Sequence, residues 1–132
     1  MEFHAIRLLV NKFSESLAFY KDILGFSGWH NDTLEYAYFE EKNLALFARK
    51  RMAPVLGSEI QALSSFPLSI LQFEVDDVDE VVHSLREKGV DFVTLPTDMP
   101  EWGSRVAHFC DPDGNVIELY KPIRERIEAG SE

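Results

Sequence analysis

Residues 14–26 read SESLAFYKDILGF, and this stretch decides the fold of the first half of the chain. Its apolar residues recur at three- and four-residue spacing, which predicts an amphipathic helix over 14–24. The members of this stripe are Leu17, Tyr20, Ile23 and Leu24. Ser14 is suited to cap the helix, because its hydroxyl can accept from the first free backbone amides. Gly25 is suited to end it, since glycine adopts the left-handed conformation without strain.

Strands are predicted on both sides of this helix. One mostly apolar strand precedes it, and three short strands follow, with a hairpin turn at Glu41-Lys42. The predicted strands cover residues 3–10, 26–30, 34–40 and 43–49. A connector over 51–66, which contains Pro54 and Gly57, has room for one short helix.

The same order of elements is predicted again in the second half. A strand is followed by a helix that begins at Asp77 or Asp79 and stops at Gly89, and three strands come after it. These strands cover residues 68–75, 90–94, 105–110 and 115–121. The last two flank Asp111-Pro112-Asp113-Gly114, whose proline and glycine suit successive turn positions. A repeated unit of this kind predicts two modules that pack together.

Three segments carry a resemblance to a known family. They are residues 14–26, 73–79 (FEVDDVD) and 111–119 (DPDGNVIEL). In this order they resemble the signature segments of the vicinal oxygen chelate superfamily, which includes glyoxalase I, extradiol dioxygenases, fosfomycin-resistance enzymes and bleomycin-binding proteins. The resemblance implies an α+β fold in which two βαβββ modules form curved mixed sheets around a pocket.

The resemblance also implies how the chain is divided. We expect a single domain over 1–123, with modules at about 1–50 and 67–122 that are joined by the connector over 51–66. Residues 124–132 are expected to form a polar C-terminal tail.

The metal-ligand positions that the resemblance implies are mostly lost. They fall on Ala5, Leu46, Ile70 and Glu118, and of these only Glu118 can donate to a metal. His4 is adjacent to Ala5, but alternation along a strand would turn it to the opposite side. We therefore expect no metal cofactor; a non-standard metal site is the alternative.

The remaining polar and aromatic side chains are candidates for a ligand site. Strand alternation turns Arg7, Gln72, Glu118 and Tyr120 to the pocket side, and the resemblance places His108 beside them. Glu118 needs a partner in apolar surroundings, and Arg7 or His108 could supply it. This pair is then structural, a ligand anchor, or a catalytic acid–base unit of His108 and Glu118. The residues expected to bind a ligand are Arg7, Tyr36, Tyr38, Gln72, Trp102, His108, Glu118 and Tyr120.

Composition restricts the partners. The chain has 132 residues, with 13 Lys and Arg against 23 Asp and Glu, a formal net charge of −10. This balance disfavours nucleic acid and is compatible with a cationic small molecule, although solubility alone explains it too. No apolar run of about 20 residues and no export signal is present, which disfavours a membrane protein. Cys110 is the only cysteine, so a cytoplasmic location is expected, and no feature marks it as a nucleophile.

Three functions remain open from the sequence. The first is a metal-independent protein that binds an antibiotic-like small molecule. The second is an enzyme, a lyase, isomerase or dioxygenase, with a non-standard metal site or His108/Glu118 acid–base chemistry. The third is a structural or regulatory homodimer, and the resemblance makes a homodimer the expected assembly in any case.

Overall fold

The computed structural model describes residues 1–57 and 69–123. The chain divides into two compact units, Met1–Phe66 and Pro67–Glu132. Each unit contains one four-stranded mixed sheet, so the protein is an α+β protein made of two modules. The predicted tail over 124–132 and residues 58–66 of the predicted connector lie outside the described residues.

Within residues 1–57, the first unit contains one sheet and two α-helices. Its sheet has the order β1-β4-β3-β2, in which β1 pairs with β4 in parallel and the other pairs are antiparallel. The elements are β1 (Ile6–Val10), α1 (Phe13–Ala18) with a π-helical turn (Phe19–Ile23), β2 (Trp29–Asn31), β3 (Tyr36–Phe39), a 3-10 turn (Glu40–Lys42), β4 (Leu44–Ala48) and α2 (Arg49–Leu56).

The start of the first helix differs from the prediction. Ser14 lies inside α1, and the N-cap position is Lys12, whose side chain makes no capping hydrogen bond. The helix begins one residue earlier because the apolar side chain of Phe13 is buried in the core. The predicted helix also changes type after Ala18, where the amide of Leu24 donates to the carbonyl of Phe19.

One face of the first sheet forms the core of its unit. Alternate residues along β3 and β4 are buried there, as are Leu8 and Val10 of β1, and β4 contacts α1. These residues are Leu8, Val10, Ala37, Phe39, Leu44, Leu46 and Ala48. The strand predicted over 3–10 starts only at Ile6, so Phe3 and Ala5 lie outside it. We call the other face, which carries Arg7, Tyr36, Tyr38 and Phe47, the far face of this sheet.

The second unit repeats this architecture with longer strands. The sheet order is β5-β8-β7-β6, in which β5 pairs with β8 in parallel and the other pairs are antiparallel. The elements are β5 (Ile70–Glu74), α3 (Val78–Glu87), β6 (Phe92–Met99), β7 (Ser104–Cys110) and β8 (Val116–Pro122).

Local sequence signals account for the ends of α3 and for the last hairpin. The Asp77 carboxylate accepts from the backbone amide of Glu80 at 3.0 Å, so Asp77 rather than Asp79 is the cap. Gly89 follows the helix with a φ of 92°, a conformation that favours glycine. In the hairpin, the Asp111 carboxylate accepts from the amides of Asp113 and Asn115 at 2.9 and 2.8 Å.

Helix α3 lies against one face of the second sheet. Val78, Val82 and Leu85 are buried on the helix, and Ala107, Phe109 and Ile117 are buried on the strands that it contacts. Alternation turns the intervening residues of β5, β7 and β8 away from α3, and we call this the far face of the second sheet. No helix within residues 1–57 and 69–123 has the length and apolar character needed to cross a membrane.

Candidate functional site

A continuous row of four polar side chains crosses the far face of the second sheet. Gln72 on β5 is paired with Glu118 on β8, Glu118 with His108 on β7, and His108 with Thr94 on β6. We call these four residues the polar row. They share a face because the backbone pairing puts one residue from each strand at the same level of the sheet.

Hydrogen bonds join the polar row from end to end. Gln72 Nε2 donates to Glu118 Oε2 at 2.7 Å. His108 Nε2 lies 2.8 Å from Glu118 Oε1, and His108 Nδ1 lies 2.8 Å from Thr94 Oγ1. Both carboxylate oxygens and both ring nitrogens therefore have a partner within the row.

The hydrogen bonds indicate which ring nitrogen of His108 carries the proton. An ionised carboxylate can only accept, so the hydrogen bond to Glu118 requires a proton on Nε2 of the imidazole. In the neutral ring Nδ1 is then the acceptor, and it faces the hydroxyl of Thr94, whose side chain is exposed. Nδ1 therefore accepts a hydrogen bond from Thr94, the exposed member at the end of the row.

Glu118 is the buried member of the row. Its side chain is 9% exposed, against 15% for the side chain of His108. Desolvation of a carboxylate is unfavourable unless hydrogen bonds or opposite charge compensate, and Gln72 and His108 both do so. Of the two partners considered from the sequence, His108 contacts Glu118, whereas Arg7 lies over the rings of Tyr36 and Phe47 in the first unit.

Thr94 was not identified from the sequence. It was predicted as the last residue of a short strand, but β6 continues to Met99, with shifts in pairing register on both sides of Thr94. Such irregularities re-aim side chains and are common beside functional sites. Pro96 lies within the second shift and cannot donate a strand hydrogen bond, but the register itself depends on which residues of β7 lie opposite.

The other predicted site residues are divided between the two units. Tyr120 lies next to the polar row, where its hydroxyl donates to Glu74 Oε1 at 3.2 Å. Tyr36 and Tyr38 lie on β3, on the far face of the first sheet. Trp102 lies in the turn before β7 and is 57% exposed.

Cys110 lies at the end of β7. Burial raises the pKa of its thiol, and the negative charge of Asp111 raises it further. A raised pKa keeps the thiol protonated at neutral pH, which opposes a nucleophilic role.

Comparison with known proteins identifies the family. Residues 3–124 match the model of the glyoxalase-like domain. This chain belongs to the glyoxalase-like family. The family lies within the vicinal oxygen chelate superfamily, and the resemblance drawn from the sequence is thereby confirmed.

Relatives of this glyoxalase-like chain cover nearly its whole length. "Uncharacterized protein YraH" from Bacillus subtilis (strain 168) is 46% identical over 128 residues, which are 93% of this chain and 100% of YraH. "Uncharacterized protein YaeR" from Escherichia coli (strain K12) is 33% identical over 131 residues, covering 89% of this chain and 94% of YaeR. A solved glyoxalase/bleomycin resistance protein/dioxygenase from Nocardioides has a TM-score of 0.77 at 22% identity, covering 94% of this chain and 85% of that one. That likeness shows the fold alone.

Two details of the superfamily's metal positions are corrected in this glyoxalase-like chain. Leu46 is paired with Leu8 in the core, and Ala45 is the residue paired with Arg7 on the far face, as Glu118 is paired with Gln72. Alanine, like leucine, has no donor atom for a metal.

The second correction concerns His4. It was predicted to point away from the Ala5 side, but β1 has not yet begun at His4, so strand alternation does not apply. The imidazole instead lies 5.2 Å from the ring of Tyr38, on the far face of the first sheet.

The donor set does not fit the superfamily's metal. Glu118 and His108 are two possible ligands, and each already hydrogen-bonds the other. Nowhere in residues 1–57 and 69–123 do three His, Cys, Asp or Glu side chains converge. A divalent ion typically needs three or more such groups from the protein, so we derive no chemistry through a metal here.

Proposed function

We propose that this glyoxalase-like chain binds a small organic molecule at the polar row, without a protein-bound metal. The proposal is carried by one observation, the buried carboxylate of Glu118 that His108 and Gln72 hold in a fixed position. Ile70 and Val116 are paired on the same face and add apolar surface beside it. A few fixed polar groups among apolar side chains are typical of small-molecule sites.

The charge on this face favours a cationic ligand. Along β5, β7 and β8, all within the described residues, the far-face positions include the carboxylates Glu74 and Glu118 and no lysine or arginine. The net charge of −10 adds a long-range attraction for cations. We therefore propose an organic cation, of which cationic antibiotics are one class.

The test is thermal unfolding of the protein in the presence of a chelator and an organic cation. Metal-free bleomycin and ethidium are suitable probes. A bound probe at a hundredfold excess over Kd should stabilise the protein by about 2.7 kcal/mol. Glu118→Gln should abolish most of this stabilisation, because the amide removes the negative charge that the cation meets.

Glu80→Gln is the matched control for this experiment. It removes the same charge from the first turn of α3, which packs on the opposite face of the sheet. The control should respond to the cations as the unchanged protein does. If both variants lost the response equally, general charge attraction would explain the binding and the proposed site would be wrong.

A second candidate function is acid–base catalysis by His108. It is favoured by the chain of hydrogen bonds in which Glu118 orients the imidazole and Nδ1 faces an exposed hydroxyl. A substrate C–H or O–H group that replaced the Thr94 hydroxyl would meet a base at this nitrogen. Incubating the methylglyoxal–glutathione adduct in D2O, with NMR detection of proton exchange, tests this candidate. Exchange should disappear in His108→Phe and persist in His83→Phe, since His83 is exposed on α3 and bonded to Glu87.

A further inference from the structure

We propose that the second unit has a further small-molecule site, a groove between α3 and β6 that binds an aliphatic carboxylate. This inference goes beyond the proposed function, because α3 packs on the face of the second sheet opposite the polar row and the ligand has the opposite charge. It rests on the shape of the groove, on the apolar side chains that face it, and on an arginine that has no partner.

The groove follows one side of α3. Of the seven described residues that line it, five recur at three- and four-residue spacing along the helix, and the other two lie on β6. These residues are Asp79, Val82, His83, Arg86, Glu87, Leu95 and Pro96. The volume of the groove is about 500 Å³, within the range of about 300–1,000 Å³ that is typical of small-molecule sites.

Apolar side chains from both walls face the groove. Val82 on α3 is buried, whereas Leu95 on β6 is 51% exposed and Pro96 is half-buried. Strand β6 is irregular here, because it advances three residues from Thr94 to Thr97 while β7 advances two opposite them. An extra residue in one strand re-aims the side chains around it. A ligand with an aliphatic chain would cover Leu95 and remove apolar surface from water.

The same irregularity argues against a protein strand as the occupant. β6 is an edge strand of the second sheet, so one side of it lacks a strand partner in the described part of the chain. Bulges and prolines are features by which natural edge strands avoid pairing with another chain. Pro96 in addition has no backbone N–H to donate. This edge therefore favours a small molecule.

The charged residues indicate which small molecule fits. Asp79 accepts two hydrogen bonds from Arg105, at 2.8 and 2.9 Å, and Glu87 lies 3.2 Å from His83 Nε2. Both carboxylates at the groove thus have a basic partner. The side chain of Arg86 is exposed, and none of the residues that the structure describes pairs with it. Its guanidinium offers paired N–H donors that match the two oxygens of a carboxylate.

Octanoate and octanamide are matched probes for this groove, because their chains are identical and only the acid is charged. Their binding is followed by the NMR shifts of the backbone amides in labelled protein. We expect octanoate to bind roughly tenfold more tightly than octanamide, since a charge-assisted hydrogen bond is the stronger one, with the largest shifts at Arg86 and Leu95. Equal affinities, no saturable shifts, or shifts centred on the polar row would overturn the proposal.

Variants on each wall then locate the two parts of the ligand. Arg86→Gln should weaken octanoate roughly tenfold and leave octanamide unchanged, whereas Arg49→Gln, which removes an equal charge from the exposed start of α2, should affect neither. Leu95→Ser should weaken both probes. Its control is Leu34→Ser, at a leucine that is 52% exposed in the turn between β2 and β3, and this change should weaken neither. Equal losses in a variant and its control, or full affinity in Arg86→Gln, would contradict the site.

Discussion

At the scale of single residues, the buried carboxylate of Glu118 is the main feature of the second sheet's far face. A carboxylate that is 9% exposed must be compensated, and both of its oxygens accept hydrogen bonds, from His108 and Gln72. The sequence predicts it as a candidate site residue, because the resemblance places it at the one metal-ligand position that keeps a donor atom. Its partner could not be chosen from the sequence, since the side chains of His108 and Arg7 can both donate a hydrogen bond to a carboxylate.

The pairing of Glu118 with His108 should appear as coupling between two mutations. Glu118→Leu leaves the imidazole without its acceptor, and His108→Leu leaves a buried carboxylate without its donor, so each should cost about 1–3 kcal/mol. The double variant should lose clearly less than the sum, because replacing both partners by apolar groups removes the unsatisfied atom. Urea unfolding of the four proteins measures this. Additive losses would show that the two side chains do not stabilise each other.

At the scale of secondary-structure elements, the sequence predicts correctly those features that a few neighbouring residues determine. Asp77 and Gly89 mark the ends of α3 because capping and left-handed turns depend on a few neighbouring residues. The predicted start of α1 at Ser14 is wrong, because burial of Phe13 outweighs the capping preference of Ser14. The extension of β6 beyond Thr94 was missed because strand length and register depend on the pairing with β7.

The cap of α3 gives a prediction at this scale. Asp77→Ala removes the acceptor for the amide of Glu80 and should lower the free energy of unfolding by about 1 kcal/mol. Asp76→Ala is the matched control, because it removes a neighbouring carboxylate that lies outside the helix. Chemical denaturation compares the two variants. A control as destabilised as Asp77→Ala would mean that charge, and not capping, stabilises the helix.

The ion pairs that tie α3 to β7 predict a dependence on pH. The hydrogen bonds from Arg105 hold the pKa of Asp79 below its ordinary value, so the ionised carboxylate favours the folded state. This stabilisation is present above about pH 4, the ordinary value in an unfolded chain, and is lost as the pH falls through the lower folded value. Asp79→Asn should therefore unfold more easily than the unchanged protein at pH 7. The difference should shrink towards pH 3, and a difference that grew with acid would refute this role for Asp79.

At the scale of the whole molecule, the order of three motifs was sufficient to predict the family and the two modules. The distribution of charge was not accessible from composition. The net charge of −10 is not spread evenly over the two sheets. The far face of the first sheet carries Arg7 and no acidic strand residue, whereas the far face of the second carries Glu74 and Glu118. The pairing register is needed to assign a strand residue to one face of the sheet. It shows that Ala45, and not Leu46, lies on the far face beside Arg7. The homodimer stays a prediction.

Binding of an organic cation should need the Glu118 carboxylate and no metal ion. The most direct test measures metal content and thermal stabilisation on the same samples, using the organic cation that stabilises the protein most. Chelator-treated protein and protein incubated with Ni²⁺, Zn²⁺ or Fe²⁺ are compared. We predict equal stabilisation in all samples and far less than one ion per chain in the chelated one. Stabilisation that appears only with one bound ion per chain would contradict metal-independent binding.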